Sequence, residues 1–196
     1  IDNVHYSLNS IPFADHGALL DPPTADVSAR CLSFLKQLNN PRDKNCIERA
    51  TNYLLSEQEK DGSWYGRWGT NYIYGTWSVL SALNLVQFKD KKEVIGNGVN
   101  YLKKMQRKDG GWGEDGKSYY KNFENLSKES TPSQTSWALM GLMAGGQIQS
   151  NEVERGLKFL TSRKCIFKED YFTAVGFPKV FYLKYHGYAE YFPLLA

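Results

Sequence analysis

Four aromatic residues near the carboxyl end have a spacing that would bring them together on a helix. They follow one another at intervals of four, four and three residues, which places them on one helical face: Phe177, Phe181, Tyr185 and Tyr188. Aromatic faces attract cations and stabilise carbocations in the same way. The same spacing is also typical of a buried core. Spacing alone favours core packing and leaves cation stabilisation as the alternative.

Asp26 and Arg30 lie four residues apart at the start of a predicted helix. At this spacing a carboxylate and a guanidinium can form an ion pair worth a few tenths of a kcal/mol. Alternatively, both side chains can help to hold a catalytic acid, because a carboxylic acid becomes stronger when cations or hydrogen bonds stabilise its anion. The sequence leaves both roles open.

Metal chemistry has little support in the sequence. Cys31, Cys46 and Cys165 lack metal-ligand spacing, and His16 and His186 have no partners at usable spacing. We therefore predict no metal site, and reduced thiols as in a cytosolic protein. The net charge of +3, with basic and acidic residues interleaved, does not favour nucleic acid as a partner. No apolar run reaches the length of a membrane span.

Two stretches repeat one pattern at a fixed offset of 48 residues, and we refer to them as the Gln–Trp units. The first contains Gln58, Asp61-Gly62 and Trp64, and the second contains Gln106, Asp109-Gly110 and Trp112. The Asp-Gly pair predicts a turn, after which the indole returns to stack on the amide of the Gln. That Gln can bond backbone groups at the start of the next helix. The repeat predicts stacked helical units, with both tryptophans serving stability.

The elements that must position these residues are helices. Hydrophobic periodicity and capping signals predict helices over about 24–38, 44–58, 75–88, 92–106, 131–145, 151–163 and 177–190, the last started by Pro178. The start at Thr131-Pro132-Ser133-Gln134 is the most specific, because it combines a capping box with Pro at the first helical position. Residues 1–23 are predicted to form a long ordered loop, and 109–130 a second loop.

These elements predict an all-α fold. Helices that open with small and hydroxyl residues alternate with amphipathic helices whose faces are charged, which indicates an inner and an outer ring. The expected fold is an incomplete α/α barrel, or toroid, of about seven helices with long ordered loops. Residues 24–190 would form the helical repeats of a single domain. Because Ile1 is neither a Met start nor a helix start, we expect the chain to be part of a longer protein.

Several longer motifs carry a family resemblance, in order, from Ile1 to Ala196. They are Ile11-Pro-Phe-Ala-Asp-His-Gly17, Asp21-Pro-Pro-Thr24, Asp61-Gly-Ser-Trp-Tyr-Gly-Arg-Trp-Gly69, Asn71-Tyr-Ile-Tyr-Gly-Thr76, Thr131-Pro-Ser-Gln-Thr-Ser-Trp-Ala-Leu139 and Gly176-Phe-Pro-Lys-Val-Phe-Tyr-Leu183. The chain resembles the triterpene cyclases, and within them the bacterial squalene–hopene cyclase branch, whose QW motifs match the Gln–Trp units. A third QW unit is degenerate, with Lys164 where Gln is expected.

The resemblance implies the C-terminal part of an enzyme with two α/α domains. Such enzymes lie on one leaflet of the membrane, at its cytoplasmic side, and fold a linear polyprene such as squalene into fused rings by alkene protonation, without a cofactor. The acid of the family lies in an Asp-x-Asp-Asp motif, which does not occur in this chain. We therefore expect the chain alone to be inactive.

The resemblance also assigns candidate site residues. The implied substrate-binding set is Phe13, Trp68, Tyr74, Phe177, Phe181, Leu183, Tyr185 and Tyr188. Phe13, with Ala14, matches the constriction through which substrate enters, although a buried loop anchor is an equal alternative. Asp26, Arg30 and Tyr74 would lie around the absent acid and support it. Arg30 stands where close relatives carry His.

Two other function classes remain as alternatives. The chain could be an α/α enzyme such as a zinc prenyltransferase subunit, or a non-catalytic helical interaction module. Because half of a barrel would be missing, we also expect inner apolar side chains to be exposed, Trp77, Trp137 and Phe181 above all. Apolar patches of this kind tend to be covered, so self-association is expected.

Overall fold

The computed structural model describes residues 22–120, 129–162 and 172–196, together with Ser10, Pro12 and Glu169. The described part contains seven α-helices and one hairpin. The helices are α1 Ala25–Leu38, α2 Lys44–Ser56, α3 Tyr72–Leu83, α4 Lys91–Met105, α5 Pro132–Ala144, α6 Asn151–Ser162 and α7 Tyr188–Leu195. The strands are β1 Ala174–Phe177 and β2 Phe181–Leu183, and two short 3-10 helices span Pro41–Asp43 and Gly116–Tyr119. The predicted all-α fold is thus confirmed apart from this small sheet.

The helices form two layers, as the alternating sequence character predicts. Helices α1, α3, α5 and α7 pack side by side in an arc, and α2, α4 and α6 each pack against the preceding inner helix. Helices α3 and α5 have neighbours on both sides and are buried around most of their circumference. The outer helices bury the side chains of one face and expose those of the opposite face. This arrangement is the expected incomplete α/α barrel.

The connections differ in length at the two ends of the arc. Helices α1, α3 and α5 each continue into an outer helix through a short connection, residues 39–43, 84–90 and 145–150. The returns from the outer to the inner layer are residues 57–71, 106–131 and 163–187. The returns meet the amino ends of the inner helices. The Gln–Trp units and most of the candidate site residues therefore lie at this end.

The start of α5 follows the sequence signal. Thr131 is the N-cap, its side chain accepts a hydrogen bond from the Gln134 amide at 3.3 Å, and Pro132 occupies the first helical position. The reciprocal half of a capping box is replaced, since the Thr131 amide donates to the Trp112 carbonyl. The Gln134 side chain instead accepts from the Glu114 amide and donates to two carbonyls. Thr131, the N-cap residue, thus joins α5 to Trp112 of the second Gln–Trp unit.

The predicted helix over 177–190 is wrong. Strands β1 and β2 pair antiparallel, with Ala174 opposite Leu183 and Phe177 opposite Phe181, and the register shifts between Val175 and Phe177. Pro178 does not start a helix but occupies a tight turn, in which the Val180 amide donates to the Phe177 carbonyl. Lys179 takes the left-handed conformation that the third position of a type II turn requires. The last helix begins only at Tyr188.

The expected exposure of the inner tryptophans is also wrong. Trp77 and Trp137 are buried, because α7 covers them and Phe192 makes edge-on contacts with both rings. Phe181 is exposed, as expected. Exposed apolar side chains are present on the two end helices of the arc, Phe34 and Leu38 on α1 and Leu194 and Leu195 on α7, and also outside them, at Ile148 and Phe172.

None of the helices in the described ranges combines the length and the apolar character needed to cross a membrane.

Candidate functional site

The two Gln–Trp units make the same hydrogen bonds. In the first, the Gln58 side chain donates to the carbonyls of Gly62 and Val94, both at 3.0 Å. In the second, Gln106 donates to Gly110 at 2.9 Å and to Glu152 at 2.8 Å. Each Gln thus joins the end of one outer helix to the first turn of the next, as expected, but through a carbonyl and not through a free amide. The stacking of each indole on its Gln stays a prediction.

The indoles tie the outer layer to the inner layer. Trp64 and Trp112 are fully buried, and their Nε1 atoms donate at 2.7 Å to the carbonyls of Leu54 and Leu102 in the preceding outer helices. Their backbone amides donate to Thr76 and Thr135 in the inner helices, as equivalent bonds in the two units: Trp64 N to Thr76 Oγ1 and Trp112 N to Thr135 Oγ1. The assignment of both tryptophans to stability stays a prediction.

Glycines make room for the indoles. A Cβ atom on Gly98 of α4 would lie 2.9 Å from the Trp64 ring, and one on Gly156 of α6 would lie 2.9 Å from the Trp112 ring. Gly cannot be replaced at these helical positions without moving a buried ring. The outer helices therefore approach the Gln–Trp units as closely as their backbones allow.

Buried carboxylates hold the amino ends of two inner helices. Glu114 accepts hydrogen bonds from the backbone amides of Asn71, Tyr72 and Ile73 at 3.0 to 3.3 Å. It therefore caps α3, although it belongs to a distant connection and not to that helix. Glu169 accepts the amide and the hydroxyl of Ser133 at the start of α5. Burial raises the pKa of both carboxyl groups, and the hydrogen bonds oppose that shift.

Asp26 has the same kind of partners at the start of α1. It is buried, and its Oδ2 accepts the backbone amides of Arg67 and Trp68, both at 2.9 Å. Oδ1 accepts the Val27 amide and the Thr24 hydroxyl. The carboxylate therefore joins α1 to the segment that follows the first Gln–Trp unit.

The predicted ion pair between Asp26 and Arg30 is absent from the described residues. The Arg30 guanidinium lies over the Trp77 ring, 4.1 Å from its centroid. Asp26 is satisfied by amides of another segment, which leaves Arg30 for the aromatic rings of α3. A cation above an indole is a favourable contact because of the ring quadrupole.

Helices α3, α5 and α7 bring five aromatic rings together, which we refer to as the inner cluster: Tyr74, Trp77, Trp137, Tyr188 and Phe192. Tyr74 contacts Trp137 edge-on at 4.9 Å between ring centroids, and the rings of Trp77 and Trp137 are stacked at 6.0 Å. Tyr188 contacts Trp137 at 6.0 Å, and Tyr185 contacts Tyr188 at 5.0 Å. Two predicted site residues, Tyr74 and Tyr188, thus meet on one indole.

The phenols of this cluster stay protonated at neutral pH. Burial raises the pKa of Tyr74, and the Arg30 cation opposes that shift. Burial also raises the pKa of Tyr188, to about 12, with smaller contributions from neighbouring tyrosines. The cluster therefore offers neutral rings and hydroxyl groups, together with one permanent cation at its edge.

A second group of predicted site residues lies at the hairpin. Phe177 and Phe181 are in edge-on contact at 5.4 Å, and Leu183 is exposed at the end of β2. Residues 68–70 pair with the start of β1, since the Thr70 amide donates to Thr173 and the Val175 amide donates to Trp68. Trp68, which is 42% exposed, is thereby placed beside the hairpin.

The predicted aromatic stripe does not exist as one helical face. Phe177 and Phe181 lie in the hairpin, Tyr185 precedes α7, and Tyr188 begins it. The four residues therefore form two groups, whose positions are set by the hairpin and by the start of α7 and not by one shared helix. Phe13, Ala14, His16, Lys164 and Cys165 lie outside the described residues.

Sequence reasoning missed Phe192, Arg67 and Glu114. Phe192 follows Tyr188 by four residues, so a helix begun at Tyr188 would have revealed the pair. Glu114 stands two residues after Trp112 and Arg67 immediately before Trp68, but their partners are distant in sequence. No local signal points to those contacts.

Metal ligands do not cluster in the described ranges. No group of three His, Cys, Asp or Glu side chains there could hold a metal ion. Cys31 and Cys46 are exposed free thiols. The expectation of a protein without metal or cofactor stays a prediction.

Comparison with known proteins gives consistent matches along the chain. The model of the squalene-hopene cyclase C-terminal domain matches residues 1–196. The chain is 56% identical to a squalene-hopene cyclase of Schizosaccharomyces japonicus and 52% identical to one of Zymomonas mobilis, in both cases over 100% of this chain and 30% of the relative. The chain thus spans about 30% of the length of these relatives.

A solved structure shows the same fold. An ent-copalyl diphosphate synthase from Streptomyces platensis superimposes with a TM-score of 0.59, over 74% of this chain and 28% of that one, at 20% sequence identity. At this identity the likeness concerns the fold alone.

Proposed function

Because the chain belongs to the squalene–hopene cyclase family, through that family's C-terminal domain, we propose that it forms part of a polyprene cyclase. The reaction is the protonation of a terminal alkene of a linear polyprene such as squalene, followed by ring closures through carbocations. The products are triterpenoids of the hopanoid type. This assignment replaces the zinc prenyltransferase and interaction-module alternatives.

The observation that carries the proposal is the meeting of Tyr74 and Tyr188 on Trp137. Three inner helices each contribute a ring, and the contacts are edge-on, so the rings differ in orientation. Neutral aromatic faces attract positive charge through their quadrupoles and bring no basic group that would remove a proton from the cation. A site of this composition also excludes water, which would end the reaction early.

The second group at the hairpin extends the aromatic surface. Trp68, Phe177 and Phe181 lie on the same rim of the arc, supplied by the connections that return to the inner layer. We infer that the two groups contact different parts of one long apolar substrate. Asp26 holds the backbone of Trp68, and Arg30 lies over Trp77 of the inner cluster. In this proposal neither side chain transfers a proton.

The acid comes from elsewhere in this proposal. The Asp-x-Asp-Asp pattern is absent from the 196 residues, and protonation of an alkene needs a strong acid. The chain alone is therefore expected to bind a polyprene weakly and to release no cyclised product.

The test uses a full-length protein that carries this chain, incubated with squalene, with products separated and identified by mass spectrometry. The unaltered protein should give pentacyclic products, and Tyr188→Ala should raise the share of partly cyclised products several-fold, because a ring that stabilises a late cation is missing. Tyr120→Ala, which changes an exposed tyrosine outside the inner cluster, serves as the control. Unchanged products in Tyr188→Ala would remove Tyr188 from the proposal.

Two properties of the surface belong to the same proposal. The full-length enzyme would act as a peripheral protein at the cytoplasmic face of the cell membrane, where its apolar substrate is dissolved. The chain by itself would self-associate through the exposed apolar ends of α1 and α7, because removal of apolar surface from water contributes about 25 cal/mol per Å². Light scattering with and without detergent tests this, and a monomer under both conditions would contradict it.

A further inference from the structure

Arg67 lies within the motif Asp61–Gly69, but the sequence assigns it no role. Its side chain is only 9% exposed, and its guanidinium lies 4.3 Å from the Trp68 ring centroid and 5.5 Å from that of Phe177. We propose that Arg67 is a positioning residue, which holds these two rings in the orientation that the substrate meets. The inference rests on the proposed cyclase function, because only that function gives the rings a substrate.

The base of Arg67 is fixed to other elements. Its own amide and that of Trp68 donate to the Asp26 carboxylate of α1. On the other side, the Tyr119 hydroxyl donates to the Gly66 carbonyl at 2.6 Å and shares this proton with the Gly69 carbonyl at 3.1 Å. Hydrogen bonds to Asp26 and to Tyr119 therefore fix the backbone of segment 66–69. This fixed backbone sets the position from which the Arg67 side chain extends.

The tip of Arg67 reaches the irregular point of the hairpin. Nη1 donates to the Gly176 carbonyl at 2.9 Å, and Gly176 lies where the register shifts between Val175 and Phe177. A bulged residue is left out of the strand ladder, so its backbone groups need partners elsewhere. Arg67 supplies one, immediately before Phe177.

The hairpin depends on such support. Its strands contain four and three residues, and a two-stranded hairpin of this size is marginally stable in water. The backbone bonds from segment 68–70 hold the start of β1, whereas Arg67 holds its end, where Phe177 and the turn begin. Loss of Arg67 should therefore free the end that carries the ring.

The chemistry of the side chain matters as well as its charge. A planar guanidinium can stack on two rings and donate to a carbonyl at once, while a Lys ammonium is a point charge on a flexible stem. Arg67→Lys keeps the charge but not the stack, and Arg67→Met keeps much of the stem and loses both. The pair separates a requirement for geometry from a requirement for charge.

The experiment compares these variants in the full-length protein. The control is Lys179→Met, which removes another hairpin cation that lies over a ring, 5.4 Å from the Tyr120 centroid, but is exposed. The readouts are deuterium uptake of residues 172–183, the ratio of partly to fully cyclised products from squalene, and total turnover.

We expect Arg67→Met to raise both deuterium uptake and the share of partly cyclised products several-fold. Arg67→Lys should shift both in the same direction by less, and Lys179→Met should shift neither. A purely structural role would lower turnover and leave the product ratio unchanged, which would overturn the proposal, as would an equal shift in Lys179→Met. If Arg67→Met does not fold, Arg67→Lys carries the same comparison.

The two proposals can fail separately. If the unaltered protein gives no cyclised product from squalene, the cyclase function fails, and the deuterium uptake still decides whether Arg67 holds the hairpin. If squalene is cyclised but uptake in 172–183 is the same in all variants, the positioning role of Arg67 fails and the function stands.

Discussion

The guanidinium of Arg30 lies 4.1 Å above the ring of Trp77, and not beside the carboxylate of Asp26 one turn earlier in α1. Within α1, Asp26 therefore contacts segment 67–68, whereas Arg30 contacts α3. Both contacts tie α1 to the rim where the candidate site lies.

The first prediction concerns Arg30→Met, which removes the cation above Trp77. Since the Arg30 side chain is exposed overall, we expect the free energy of unfolding to fall by about 0.5–1 kcal/mol, the value typical of an exposed cation–π pair. Urea denaturation measures the change. Arg30→Lys should retain part of the stability, and an equal loss in both variants would show that the cation does not contribute.

The second prediction concerns Trp112→Ala. The ring is fully buried, and its Nε1 bond to Leu102 would be lost, so unfolding should become easier by roughly 3–5 kcal/mol. Ile148→Ala, at an exposed position, should change stability by less than about 1 kcal/mol. A loss below about 1 kcal/mol for Trp112→Ala would mean that the Gln–Trp unit does not clamp the helices.

The third prediction compares two glycines of α4. Gly98→Ala would place a methyl group 2.9 Å from the Trp64 ring, whereas a Cβ on Gly96 meets no atom within 4 Å. Gly96→Ala should stabilise by about 0.5–1 kcal/mol through helix propensity. Gly98→Ala should destabilise despite the same gain, and thermal midpoints of the two variants should move in opposite directions. Movement of both midpoints upwards would show that Trp64 can shift at no cost.

The fourth prediction concerns alkaline pH. The pKa of Tyr188 is raised from about 10 to about 12 on folding, so above pH 10 the folded state binds more protons than the unfolded state. Stability contributed by this group is present below pH 10 and is lost as pH rises towards 12. Tyr188→Phe should therefore weaken the decline in unfolding free energy between pH 10 and 12.

The control for pH is Phe192→Leu, which changes packing in the same cluster without removing a titratable group. Its effect on unfolding free energy should be the same at pH 8 and pH 11. If Tyr188→Phe and Phe192→Leu have the same pH dependence, the Tyr188 hydroxyl does not carry the linkage.

Helices with local signals were predictable. The Thr131 cap and Pro132 place the start of α5 to the residue, and the periodicity of 92–106 gives α4 within one residue. The start of α3 was predicted at Gly75, three residues late. Its cap comes from Glu114, about forty residues further along the chain, so local sequence contains no sign of it.

The hairpin and the candidate site could be predicted only in part. Spacings of four residues suggested a helix through Phe177 and Phe181, but the backbone of this segment pairs with residues 68–70, more than a hundred positions earlier. The family resemblance selected Tyr74 and Tyr188, and the structure brings both to Trp137. The resemblance did not indicate that the predicted aromatic residues divide into two groups, because that division depends on the turn at Pro178.

The unequal connections at the two ends of the arc place the candidate site and the main contacts between helices on the same rim. Asp61 to Trp68, Glu114 and the hairpin all belong to the long returns 57–71, 106–131 and 163–187, while the opposite rim has only short links. The same returns hold the helices together, because Trp64 and Trp112 join the two layers and Glu114 caps α3. Exchange of one return between related chains would therefore replace the helix contacts together with the candidate site, so that the smallest unit of exchange is a whole return with its Gln–Trp unit.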